Sequence, residues 1–183
     1  MTLEQNVFRI VVTGPESSGK TTLATQLADR LGVPCVPEFA RSYVACLGRP
    51  YRQEDLHRIA RGQQLWEAWF AQMIANQPVG QPGSLVCDTD WTVIRIWEQY
   101  KYGTATLPLP PSLSPALNLY LLCAPDMPWQ PDPLREHPAE RKALFERYVD
   151  LLESLAANYF ILRGDASSRL ESALDVVRKY CRP

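Results

Sequence analysis

Residues 14–21, Gly14-Pro15-Glu16-Ser17-Ser18-Gly19-Lys20-Thr21, fit G-x-x-x-x-G-K-[ST] at every fixed position, and Thr22 follows. That spacing suits a loop that grips a triphosphate. Gly14 and Gly19 let the backbone close around phosphate oxygens without Cβ clashes. The loop amides can turn inward as a nest at a helix N-terminus. Lys20 can then reach the β- and γ-phosphates, and Thr21 can offer its hydroxyl to Mg²⁺. ATP and Mg²⁺ are therefore the expected ligands, with residues 14–22 as the cradle.

Phosphoryl transfer also needs a carboxylate for the metal, an oriented acceptor and exclusion of water. Asp88 follows the apolar run Ser84–Cys87. It stands at a strand end, where it can hold Mg²⁺ together with Thr21 or cap the helix that follows. Asp90 could cap that helix or hydrogen-bond a substrate hydroxyl. Glu38 and Arg41 share one face of a helix that begins at another strand end. Glu38 could accept the proton of an attacking hydroxyl, or form only a surface ion pair. Arg41 could hold a phosphate or orient that carboxylate. The general base is open between Glu38 and Asp88. Arg135 and Arg141 flank a helix start behind a polar loop, where a lid at 124–141 would bring cations onto the transferring oxygens. Trp91, Trp129, Tyr51 and Tyr100 are candidates to stack on a planar ring.

These groups are distant in sequence and need a scaffold. Val7–Thr13 reads as a buried strand, and Leu23, Ala24, Leu27, Ala28 and Leu31 as the packed face of a helix over 19–31 closed by Gly32. Val33–Pro37 is a short strand whose prolines suit an edge. A helix opens at Glu38 and stops at 48–50. Gln53 to about Asn76 is a long amphipathic helix, with Leu56, Ile59, Gln63, Trp66, Phe70 and Met73 toward the core. Strand Ser84–Cys87, helix Trp91–Tyr102 and a proline-dense passage at 103–115 follow. Next come strand Ala116–Cys123, loop Ala124–Pro138, helix Glu140–Ala157 and strand Tyr159–Leu162. A capping box at Ser168–Glu171 opens the last helix. Five strands alternating with helices require an α/β fold, a mostly parallel sheet covered on both faces, as one domain over 1–183. Ligands bind at the carboxyl ends of such strands, so Glu38, Asp88 and the 124–138 loop can meet beside residues 14–22.

Composition narrows the partners. Hydrophobic residues make up 46% and charged residues 21%, with a formal net charge of −1, so no basic surface points to nucleic acid. No apolar run approaches the roughly 20 residues that span a bilayer, and Glu4 and Asn6 interrupt any leader pattern. The cytoplasm is the default location, with a small-molecule partner; a homo-oligomer is left open. The five cysteines are scattered without a C-x-x-C pair, which argues against zinc or a disulfide framework. Cys35, Cys87 and Cys123 read as small core residues. No N-K-x-D segment for guanine is present.

Four stretches together carry a resemblance: GPESSGKTTLA at 14–24, PEFAR at 37–41, DTD at 88–90, and PDMPWQPDPLR at 125–135 with Arg141. They resemble the ribosylnicotinamide kinase domain of NadR-type proteins. The resemblance implies a P-loop NTPase fold of the nucleoside- and nucleotide-kinase-like kind. It implies transfer of the ATP γ-phosphate to the 5′-hydroxyl of nicotinamide riboside, giving nicotinamide mononucleotide for NAD salvage. On it, Glu38 and Arg41 lie near the acceptor, Asp88 and Asp90 near metal and ribose, and Arg135 and Arg141 in the lid. Trp91 or an aromatic near it stacks on the nicotinamide, and a glutamate after the second strand is favoured as base. Full NadR proteins place an adenylyltransferase domain before the kinase; with about six residues ahead of the first strand, that activity is not carried over. The family's aspartate-glycine near the lid is here Asp132-Pro133, which leaves room for another nucleoside or small hydroxyl compound. A regulatory ATPase is the rival from another class.

Overall fold

The computed structural model describes residues 7–76, 83–110, 114–132 and 139–180. The first apolar run forms β1 (Phe8–Thr13), with Ile10 and Val12 packed into one layer and Val7 and Val11 into the other. Burial on both faces explains a run that is apolar throughout rather than alternating. β1 is the central strand of a sheet ordered β2-β3-β1-β4-β5, with β2 (Cys35–Val36), β3 (Ser84–Asp88), β4 (Asn118–Cys123) and β5 (Asn158–Leu162). All four pairings are parallel, and the register sets Val12 beside Asp88 and Thr13 beside Leu122. β2, with its flanking prolines, is an edge strand, where a missing N–H costs least.

Among the described residues six helices flank the sheet: α1 (Lys20–Leu31), α2 (Phe39–Ala45), α3 (Gln53–Ala75), α4 (Trp91–Tyr102), α5 (Arg141–Ser154) and α6 (Ala166–Tyr180). Leu23 and Leu27 of α1 and Leu174 and Val177 of α6 pack on one face. Ala71 of α3, Val93 and Ile96 of α4, and Leu144 and Tyr148 of α5 pack on the other. Each buried Leu, Ile or Val contributes about 1.5–3 kcal/mol, so the two layers lock the helices onto the sheet. A third cluster, with Ala40, Leu56, Ile59, Trp91 and Ile94, seats α2 against α3 and α4. The carboxyl ends of the strands are left to the loops.

Several boundaries and one side chain differ from the sequence expectation: β2 is shorter than 33–37, and α2 ends at Ala45, before 48–50. β4 starts at Asn118 because Pro115–Leu117 forms a 3-10 turn, in which Pro115 needs no donor. α5 stops at Ser154, and the chain turns through Ala156 at φ +48°. α6 starts ahead of Ser168, because the Asp165 carboxylate accepts the Ser168 N–H at 2.8 Å. A carboxylate is a strong acceptor at a helix N-terminus, and it displaces the expected capping box. Met73 is 47% exposed, in line with Leu65 and Trp69 on the outer side of α3 instead of the core. No helix among the described residues is long and apolar enough to cross a membrane.

Candidate active site

The loop after β1 is shaped by what surrounds it. Gly14 sits at φ +137°, and a Cβ there would lie 2.6 Å from the Cys123 carbonyl oxygen, so the end of β4 leaves room only for glycine. Gly19, at φ +76°, precedes the first turn of α1. Inside the loop, Ser18 Oγ donates to the Pro15 carbonyl at 2.8 Å and Lys20 Nζ to the same oxygen at 2.9 Å. A cavity of about 230 Å³ opens over it. Its walls are Gly14 and residues 16–22, Glu38 and Arg41, Val93 and Trp97 of α4, and Met127, Pro128 and Gln130.

β3 carries Asp88 to the loop, where it is 4% exposed. Burial raises its proton affinity, against the hydrogen bond from Thr21 and the charges of Lys20 and Arg41. Among the described residues its Oδ1 has no hydrogen-bond partner. An unpartnered buried carboxylate oxygen is costly, and a cation relieves that cost. Thr21 and Asp88 therefore fit Mg²⁺, which commonly takes one or two protein oxygens and completes its shell from phosphates and water. Among the described residues no group of three His, Cys, Asp or Glu forms a metal cage of its own.

Glu38 precedes α2 but makes no capping hydrogen bond, and its side chain, 15% exposed, lines the cavity. Burial raises its proton affinity above the ordinary glutamate value, Lys20 opposes this, and Asp88 adds to it. A carboxylate of raised proton affinity beside a phosphate loop is suited to take a proton from an attacking hydroxyl. Arg41 Nε lies 3.7 Å from Glu38, and its Nη1 bonds Asp132 at 3.1 Å. The Glu38–Arg41 ion pair thus exists, but inside the cleft.

The 127–132 segment lies on the loop. Gln130 N–H donates to Ser17 Oγ at 2.8 Å, while Arg141 donates to the Met127 carbonyl at 2.9 Å and to the Ser17 carbonyl at 3.0 Å. Arg141 thereby ties the start of α5 to both segments. Arg135, and with it residues 133–138 of the expected lid, lies outside the described residues.

Two expected substrate contacts are placed elsewhere. Asp90 is the cap of α4: Oδ1 accepts from Thr92 N at 2.9 Å and Thr92 Oγ1 at 2.5 Å, and Oδ2 from Tyr120 Oη at 3.0 Å. With both oxygens engaged and 1% of its surface exposed, it does not line the cavity. Trp91 is 2% exposed and belongs to the core of α2, α3 and α4, so its ring is closed to a ligand. Burial of so large an apolar surface outweighs what one stacked ring would return. The aromatic in the cavity wall is Trp97, stacked on Tyr51 with centroids 6.2 Å apart. Its signal was the four-residue step from Val93, which turns both toward the strand ends.

Arg169 of α6 is a second residue the sequence reading passed over. It is 1% exposed and donates to the carbonyls of Ser18 at 2.5 Å, Ala124 at 2.8 Å and Gly164 at 2.9 Å, and to Asp126. It fastens the phosphate loop, the start of the lid segment and the β5–α6 turn to one another. Only its neighbours in space reveal this role.

Comparison with known proteins agrees with this architecture. The model of a family described as AAA domain matches residues 9–169. Among solved structures, a NadR protein in complex with NR superposes with a TM-score of 0.74 at 22% identity, over 98% of this chain and 53% of that one. A NadR protein in complex with NAD and AMP-PNP superposes with a TM-score of 0.71 at 23% identity, over 98% and 51%. Thymidylate kinase from Ehrlichia chaffeensis follows with a TM-score of 0.59 at 13% identity, over 93% and 99%. The chain spans about half the length of the NadR chains it matches. At these identities the likeness is one of fold alone. No curated protein matches the sequence.

Proposed function

Because this chain belongs to the AAA domain family and gathers a phosphate loop and a buried carboxylate in one cleft, we propose that it is an ATP-dependent kinase acting on nicotinamide riboside. The product is nicotinamide mononucleotide. The observation that carries the reading is Glu38, a glutamate of raised proton affinity lining the same cavity as Lys20 and Arg41. The ribose 5′-hydroxyl oxygen attacks the γ-phosphorus in line, its bond to the β,γ-bridging oxygen breaks, and ADP leaves with the electron pair. Glu38 receives the hydroxyl proton as the new bond forms. Lys20 exchanges the Pro15 carbonyl for the β- and γ-oxygens. Arg141 holds the lid segment on the loop, with Arg135 as a second cation. Thr21 and Asp88 would hold Mg²⁺, which supplies charge neutralisation on the phosphates when bound.

Support for this acceptor comes from two directions. Glu38 and Arg41 of the stretch 37–41 and Met127, Pro128 and Gln130 of the stretch 125–132 line one cavity, and the NadR structures similar in fold are complexes with NR and with NAD and AMP-PNP. The flat Trp97–Tyr51 pair offers a wall for a planar ring.

The test is a panel of acceptors with Mg-ATP: nicotinamide riboside, purine and pyrimidine nucleosides, and nucleoside monophosphates. Nicotinamide riboside should give the highest kcat/KM. Lys20→Ala should abolish transfer while leaving the circular-dichroism spectrum unchanged. A different preferred nucleoside would reassign the acceptor. Fast ATP hydrolysis indifferent to every acceptor would favour a regulatory ATPase, and near-normal turnover by Lys20→Ala would overturn the site.

A further inference from the structure

We infer that Gln63 is a positioning residue for Glu38: by accepting the N–H of Phe39 it fixes the peptide from which the Glu38 side chain enters the cavity. The inference rests on the reading of Glu38 as the base.

The first N–H groups of a helix have no partner within it; the residue just before the helix can accept from the second or third of them, whereas the N–H of the first helical residue needs an acceptor from elsewhere. Glu38 stands just before α2 and makes no capping bond. The N–H of Phe39, the first residue of α2, goes to Gln63 Oε1 of α3 at 2.8 Å. The peptide between Glu38 and Phe39 is thereby held from α3, which fixes the direction in which the Glu38 side chain leaves the backbone to line the cavity.

Gln63 is itself held. Its Nε2 donates to Glu67 Oε1 at 3.2 Å, one turn along α3. Glu67 accepts from Arg9 Nη2, and Arg9 Nη1 donates to Asn118 Oδ1 at 3.0 Å. The chain of bonds runs from β4 through β1 and α3 to the residue after Glu38. Gln63, Glu67 and Arg9 are 1%, 5% and 7% exposed. Desolvating an ion pair costs enough that apolar residues in its place commonly give equal or better stability. Packing alone does not call for this relay, whereas orienting the Gln63 amide does. With its Nε2 committed to Glu67, the amide presents Oε1, not Nε2, to Phe39.

The seat beside it is shaped to match. Gly62 lies against the Phe39 ring so closely that a Cβ there would overlap it. The same ring meets Trp66 edge-on, with centroids 4.9 Å apart. α2 is thus pinned at its first residue by Gly62, Gln63 and Trp66 of α3.

The experiment is a double-mutant cycle on the full chain with Mg-ATP and the best acceptor of the panel. Gln63→Met keeps the volume and removes the acceptor, which releases the peptide between Glu38 and Phe39 and lets the carboxylate leave its place in the cavity wall. We expect kcat to fall roughly tenfold or more, with KM for ATP changed less than about twofold. Adding Gln63→Met to Glu38→Gln should lower kcat no further, because both changes act through one carboxylate. Where Gln63→Met does not fold, Gln63→Asn, one methylene too short to reach, gives the same readouts. An unchanged kcat, or a loss that adds in full to that of Glu38→Gln, overturns the role of Gln63. Wild-type kcat in Glu38→Gln alone overturns instead the reading of Glu38 as base.

Discussion

Glu38 shows how a site is tuned by what surrounds one atom group. Its carboxyl is desolvated by the cleft and meets Lys20 and Arg41 on one side, Asp88 and Asp132 on the other. Burial dominates, so the proton is held above the ordinary value of 4.5. A base must be ionised to act, so kcat should rise with pH through an apparent pKa above that value. The pH–rate profile of Glu38→Gln should lack this acidic limb and lie far below wild type across the range. A limb that survives the substitution would assign the titration to Asp88, whose proton affinity is raised by burial as well. The cysteines behave differently: burial pushes the thiols of Cys35 and Cys123 up to about 11, which leaves them inert core groups.

Among the elements, the junction of α2 and α3 fixes where Glu38 and Arg41 stand. Asp55, in the first turn of α3, organises it. Its carboxylate accepts from Arg49 Nη1 at 2.8 Å, Arg52 N–H at 2.8 Å and Tyr43 Oη at 2.9 Å, joining α2, the turn and α3. Arg49 above all holds this carboxyl well below its ordinary value of 3.8. The unfolded chain therefore binds the proton more tightly than the folded one. The stabilisation is complete above the unfolded value and is lost as pH falls through it toward the folded one. Urea midpoints at about pH 5.5 and pH 3 should show the wild type losing stability on acidification. Asp55→Asn should start lower and lose less over the same interval. An identical slope in both would assign acid sensitivity to other carboxylates.

At the scale of the whole molecule, Arg169 makes the site a property of the fold and not of one loop. Its guanidinium, buried under α6, supplies the donors for Ser18, Ala124, Gly164 and Asp126. Arg169→Met removes this donor from the buried Ser18 and Ala124 carbonyls, a cost on the order of 3 kcal/mol. For a chain of this size that lowers Tm by roughly 6–12 °C. A thermal melt with and without an ATP analogue checks it. The variant should also gain less from the analogue than wild type does, since the phosphate loop has lost its rear support. Equal ligand-induced gains would limit Arg169 to general stability.

Local chemistry was legible in the residues themselves. A β-branched run, G-x-x-x-x-G-K-[ST] and a Leu/Ala helix are contiguous, so their strand–loop–helix conformation follows from neighbours a few positions away. The alternation of strands and helices likewise implies a parallel sheet with its ligands at the strand ends. What the sequence could not decide were competitions among distant groups. That the Asp90 carboxylate caps α4 is decided by Thr92 and Tyr120. Whether Trp91 or Trp97 faces the cavity was settled by how α4 sits against α2 and α3. Gln63, Arg9 and Arg169 acquire their roles from partners 24 to 151 residues away. Composition and periodicity report which side chains leave water; only the tertiary structure decides which polar groups they meet once there.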